Sequence, residues 1–249
     1  MSYEYQARLI DKGHGSRTSV SEEILFRRFS PDSEDSSRMS DLVFDNAFLG
    51  QPFDAICPCK RWFSDVVLAP YIEHEPENIH IAVHEPSERL VGYLTGSMGG
   101  TRFEKLQYQM VRRQVVALAA SLTMPWTLFD QSSRQFATHV IFRGESERPS
   151  HPQTGAHWHF QVNREFRGQG IGVHLLQRFV DDVIAAGFSL IWAEVSSYPE
   201  KPPGYFTDRG WAIYDAKPTG IFADHVDFPV QTLCITKPIS ELEISARAA

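Results

Sequence analysis

His157-Trp158-His159-Phe160-Gln161-Val162-Asn163-Arg164-Glu165-Phe166-Arg167-Gly168-Gln169-Gly170-Ile171-Gly172-Val173-His174-Leu175-Leu176 changes character at its glycines. Before them, His157 to Val162 is an extended, largely apolar run. After them Leu175, Leu176, Phe179, Val180, Val183 and Ile184 fall on one face of a helical period, so a helix is expected from Ile171 until Gly187 ends it in a left-handed turn. Phe188 to Val195 then suits a strand. The unit is strand, glycine turn, helix, strand, with the right-handed crossover that parallel strands require. Glycines at 168, 170 and 172 let main-chain N–H groups come close to an anion because no Cβ stands in the way. The helix dipole adds partial positive charge there and Arg167 adds a full one, so a phosphate is the natural guest. A dinucleotide fingerprint would need its third glycine where Val173 stands, and no Gly-Lys-Ser/Thr occurs anywhere, which weakens both nucleotide readings.

The stretch from Val162 to Leu176 resembles the acyl-CoA signature of the GNAT superfamily of N-acetyltransferases, whose core is Arg/Gln-x-x-Gly-x-Gly/Ala. Arg167, Gly170 and Gly172 fill those places. The order of elements from about Ile24 to Thr236 is similar too, including Gly210-Trp211 after a short helix. The run from His157 to Val162 further resembles a subgroup that includes acetyltransferase-like domains of O-GlcNAc hydrolases. The resemblance implies an α/β (α+β) fold: a mixed, mostly antiparallel twisted sheet flanked by helices. It also implies acetyl-CoA as cosubstrate, with Phe160, Val162, Arg167, Gly168, Gln169, Gly170, Ile171 and Gly172 as the cofactor-binding set, and transfer of an acetyl group to an amine by direct attack in a ternary complex.

Such an attack needs a base, since amines are protonated near neutral pH. Glu194, on the strand beside the cofactor strand, and His159, on the cofactor strand itself, both qualify. In the family the leaving thiolate usually takes its proton from a tyrosine four residues before the Gly-Phe/Trp pair. That position here is Phe206. Tyr205 is the nearest candidate acid, turned by about 100° on a helix, and Pro199, Pro202 and Pro203 replace the usual approach to that helix.

Two rivals stay open. A non-catalytic acyl-CoA-binding module would explain Phe206. A metal enzyme could use His157 and His159, an i,i+2 pair on one strand face, but no third ligand has a defined spacing and no metal is expected. Cys57-Pro58-Cys59 lacks the C-x-x-C spacing of zinc or redox pairs.

Outside this unit, Ile24 to Phe29 suits a strand, followed by a turn at Ser30-Pro31-Asp32 and a helix ending before Gly50. A second helix is expected from Lys60 to Tyr71, distorted or ended by Pro70. Ile79 to Val83 and Leu90 to Thr95 form a hairpin, and Trp211 to Tyr214 and Gln231 to Thr236 are the last strands. Residues 97–156 read as an insertion before the cofactor strand, helical from Phe103 to Leu122 and then broken by Pro125, Gly144, Pro149, Pro152 and Gly155. The domain therefore spans 21–240, between a polar segment 1–20 and a tail 241–249.

The 249 residues carry 24 basic and 31 acidic side chains, a net charge of −7, which argues against nucleic acid or an anionic membrane as partner. No stretch reaches the ~18 apolar residues of a membrane span, and only three cysteines occur, so a reducing, cytoplasmic setting is expected. The partner is an amine-bearing acceptor, small molecule or protein. A homodimer is among the open oligomeric states.

Overall fold

The computed structural model describes residues 23–31, 33–100, 109–110 and 131–242. Its strands are β1 (Ile24–Arg28), β2 (Ile79–His84), β3 (Arg89–Ser97), β4 (Ala156–Val162), β5 (Leu190–Ser197), β6 (Ala212–Thr219) and β7 (Val230–Pro238). They form one seven-stranded sheet in the order β1-β2-β3-β4-β5-β7-β6. Every pairing is antiparallel except that of β4 with β5. The helices are α1 (Asp35–Phe44), α2 (Lys60–His74), α3 (Gln131–Glu147), α4 (Ile171–Ala185) and α5 (Pro203–Thr207).

Strand alternation divides the core into two layers, one on each face. On one face Tyr71 and Leu68 of α2, Met39 and Leu42 of α1 and Phe136 of α3 pack with Ile79, Ile81 and Tyr93 of the sheet. On the other, Ile171, Leu175, Phe179, Val180 and Val183 of α4 pack on Ala82, Leu94, Trp158 and Val162. Gly96 sets how close α4 comes: a Cβ there would lie 1.9 Å from Cε2 of Phe179, so only glycine lets that ring lie on β3. The helix ends as expected at Gly187 (φ 80°), where Gly187 N–H donates to Ile184 C=O and Phe188 N–H to Val183 C=O. These are the two bonds of a Schellman cap. Ile184 itself, expected on the buried face, is 39% exposed, because it sits at the edge of the apolar stripe.

The hairpin turn lies at Glu85–Ser87, with Glu88 left-handed at φ 51°. Three expectations change. Pro70 does not end α2, which continues to His74 and closes with Glu75 N–H on Tyr71 C=O. Pro70 is buried, and Tyr71 beyond it is anchored in the core, so packing holds the last turn in place of the missing bond. The segment read as broken by glycine and proline contains the 17-residue helix α3, with Gly144 inside it. Strand β5 begins two residues later than expected and runs on to Ser197. Of the expected helix from Phe103 to Leu122 only 109–110 are described, and they are helical; the rest of it, the segment 1–20 and tail residues 243–249 lie outside the described residues. No described helix is long and apolar enough to cross a membrane.

Candidate active site

Strands β4 and β5 pair only at Ala156↔Ile191 and His157↔Trp192 and then part. β4 keeps its other neighbour throughout, from Ser97↔His157 to Gly92↔Val162. The direction of its backbone groups follows from one bond: Asn163 N–H donates to Val91 C=O at 2.8 Å. Antiparallel residues alternate between pointing both groups at the partner strand and both away. Gln161, His159 and His157 therefore face β3, whereas Val162, Phe160 and Trp158 face the opening left by β5. Thr95 Oγ1 donating to His159 C=O at 3.3 Å, and Arg167 Nε to Val162 C=O at 3.1 Å, agree with that alternation.

At the end of this opening the chain turns through Gly168 and Gly170, with φ 81° and 77°. Left-handed backbone at both positions explains why glycine occupies them. Gly170 is the N-cap of α4 and has no side chain to cap it. The first bond of the helix runs from His174 N–H to Gly170 C=O. The N–H groups of Gly170, Ile171, Gly172 and Val173 consequently have no partner within the helix, and they stand at its positive end. Arg167 acts differently from expectation. The residue is 9% exposed and its guanidinium turns inward, donating to Val162 C=O and, at 2.5 Å, to Asn46 Oδ1. It ties the end of β4 to the end of α1 rather than presenting its charge at the turn.

One face of the opening carries the polar groups. Parallel pairing puts His157 and Trp192 side by side, and their rings lie 4.3 Å apart. Tyr71 Oη of α2 is 2.9 Å from His157 Nδ1, and Tyr93 Oη of β3 is 3.5 Å from His159 Nδ1. Both imidazoles are half-buried. Burial lowers His157 to about 3, helped by His159, Arg148 and His151, and lowers His159 to about 4. Both are neutral at physiological pH. Burial also pushes the Tyr71 and Tyr93 phenols well up. Glu194, two residues along β5 from Trp192, lies on the same face as its ring, and its Oε1 accepts from Arg148 Nε at 2.9 Å.

Residues 49–202 match the model of the acetyltransferase (GNAT) family. The chain belongs to the GNAT acetyltransferase family. Two solved structures share this GNAT fold over nearly their whole length. SsHAT is 20% identical with a TM-score of 0.56, covering 87% of this chain and 98% of that one. Arylalkylamine N-acetyltransferase 2 from Aedes aegypti is 12% identical with a TM-score of 0.53, covering 88% and 100%. A search of curated proteins gives no match.

On the opposite face of this GNAT domain, α5 packs against the cluster that holds Phe160 and Val195, residues from either side of the opening. The short helix runs from Pro203 to Thr207, with Gly210 left-handed at φ 74°. Phe206 is buried in the core, 5% exposed. Tyr205 lies under the Arg209 guanidinium, 3.8 Å from the ring centre, and its hydroxyl is buried with no hydrogen-bond partner among the described residues. Burial raises that phenol to about 12.

An acyl-CoA molecule fits what these residues offer: open N–H groups at a helix start, backbone groups of Phe160 and Val162 aimed into a slot, and an unsatisfied buried hydroxyl beside it. The residues that sequence reasoning missed are Tyr71, Tyr93 and Arg148, which arrive from α2, β3 and the end of the insertion. Tyr71 was legible only as one apolar-face residue of its helix, and Arg148 sits in a stretch whose prolines drew attention away from it. Among the described residues no three His, Cys, Asp or Glu side chains converge as metal ligands, and His157 and His159 each have a tyrosine at Nδ1.

Proposed function

We propose that this chain is an N-acetyltransferase that moves the acetyl group of acetyl-CoA to an amine by direct attack in a ternary complex. The observation that carries the reading is the parting of β4 from β5 beyond His157 and Trp192, which opens a slot between the α4 N-terminus and the polar face. The cofactor supplies an activated thioester. The N–H groups of Gly170 to Val173 hold its pyrophosphate, the outward backbone groups of Phe160 and the N–H of Val162 hold its arm, and an N–H in that row holds the thioester oxygen as charge develops on it.

Between the two candidate bases, physics favours Glu194. Proton transfer from an ammonium to a carboxylate neutralises the amine's charge against it, whereas transfer to His159 places a positive charge on an imidazole that burial disfavours. Tyr205, with its unsatisfied hydroxyl, is the group available to give the thiolate a proton. The fold neighbour from Aedes aegypti is named for acetylation of arylalkylamines, which supports an amine as acceptor class.

A second reading is favoured by Phe206, buried where the family places its usual tyrosine: a module that binds acyl-CoA without turnover. A thiol-release assay with acetyl-CoA across small amines, amino acids and peptides separates the two. Amine-dependent release that Glu194→Gln suppresses supports the enzyme. Stoichiometric acetyl-CoA binding with no release for any amine supports the module.

A further inference from the structure

The stretch from Glu147 to His151, which leaves α3 and leads into β4, crosses the sheet as a strap. Glu147 accepts from Thr219 Oγ1, at the end of β6, at 3.2 Å and from Gly220 N–H just beyond it at 3.0 Å. Ser150 N–H donates to Asp215 Oδ2 on β6 at 2.6 Å. His151 stacks on Trp192 of β5 at 4.7 Å and 7°. Between these anchors Arg148 Nε donates to Glu194. The strap follows one rung of the sheet, since Glu194 pairs with Cys234 and Cys234 with Asp215 across β5, β7 and β6.

We propose that Arg148 is a positioning residue for amine deprotonation, holding the Glu194 carboxylate in one orientation. This rests on Glu194 being the base. Its other neighbours leave that work to Arg148. Tyr71 of α2 is un-ionised, its phenol pushed up by burial and by Glu194. Cys234 of β7 is buried as a thiol, raised to about 12 by burial, then by Glu194 and Asp215. His157 and His159 of β4 are neutral. Asp215 of β6, which raises the Cys234 thiol, and Glu145, which raises Arg148, are acidic and supply no cation for Glu194. Among the described residues facing Glu194, Arg148 is thus the cation. Burial works against its charge, and the Glu194 carboxylate outweighs burial. The insertion therefore reaches the chemistry through one side chain, and seating the strap and arming the base are the same event.

The test compares kcat and KM of Arg148→Gln, Arg148→Lys and Glu194→Gln in amine-dependent thiol release, with acetyl-CoA affinity by calorimetry as a readout that does not need turnover. Expected are loss of turnover in E194Q, a kcat lower by about tenfold or more in R148Q with acetyl-CoA affinity near wild type, and partial recovery of kcat in R148K. A wild-type kcat in R148Q, or a loss matched by an equal loss of acetyl-CoA affinity, while E194Q still abolishes turnover, overturns the role of Arg148 and leaves the base in place. Wild-type turnover in E194Q overturns the base, and the proposal with it.

Discussion

The two cleft histidines make stability depend on pH in a direction the structure dictates. An exposed histidine titrates near 6.5, whereas His157 and His159 are held by burial at about 3 and about 4. Both are lowered in the folded state. Below pH 6.5 the unfolded chain takes up protons that the folded chain refuses, so stability is full above about 6.5 and falls as pH falls towards the folded values. Each ring contributes a slope of up to about 1.4 kcal/mol per pH unit in that window. By pH 5 this amounts to about 1–2 kcal/mol per ring, allowing for the access that half-buried rings retain, against a total stability of about 5–15 kcal/mol. The assay is urea unfolding from pH 7.5 to 5.0 for the wild type, His157→Gln and His159→Gln. Carboxylates that titrate in the same range are common to all three, so the informative quantity is the difference between curves. Each variant should lose about 1–2 kcal/mol less than the wild type between those limits. Curves that run parallel to wild type would mean the imidazoles take up protons freely in the folded state, and the neutral, tyrosine-bonded cleft described above would be wrong.

Other consequences follow from single residues. Gly170→Asp places a carboxylate among the open N–H groups of the α4 start, and like-charge contact with a pyrophosphate costs several kcal/mol, so calorimetry should show acetyl-CoA binding weakened by about 100-fold or more; unchanged affinity in the folded variant refutes that placement. Gly96→Ala drives a methyl into the Phe179 ring, an overpacking worth about 1–3 kcal/mol, which should lower Tm by roughly 2–10 °C while an unchanged Tm would refute the close approach. Tyr205→Phe removes a hydroxyl that has no partner in the resting protein, so stability should change by less than about 1 kcal/mol while turnover falls; a loss of stability with intact turnover would show the hydroxyl to be structural.

The strand-turn-helix unit was legible because its signals are local. Gly168 and Gly170 need left-handed backbone, Gly187 needs it again, and the apolar period of α4 is strong enough to place all but Ile184. Pro70 and Gly144 misled for the opposite reason. Their intrinsic cost to a helix is real, but Tyr71 beyond Pro70 is anchored in the core, and Phe136 anchors α3 against Trp62 and Phe53. Tertiary packing outweighed local propensity at both places.

The same contrast separates the two halves of the site. In the proposed reading cofactor binding draws on main-chain groups whose direction follows from turn and ladder geometry, so residues contiguous in the chain from Phe160 to Gly172 would carry it. The polar face is assembled from Tyr71, Tyr93, Arg148, His157, His159 and Glu194, which come from α2, β3, the strap, β4 and β5. No spacing rule links them, since each is brought in by a different packing contact. Arg167 shows how a motif residue's side chain can turn away from where its place in the motif suggests: its charge was expected at the anion, yet Asn46, far away in sequence, and the carbonyl of Val162 draw it inward. The carbonyl is free to accept only because β5 has already parted from β4. The splay that opens the slot thus also orients the side chain that braces it, which ties the integrity of the cofactor site to the end of α1 and gives the family motif its arginine a structural reason in this chain.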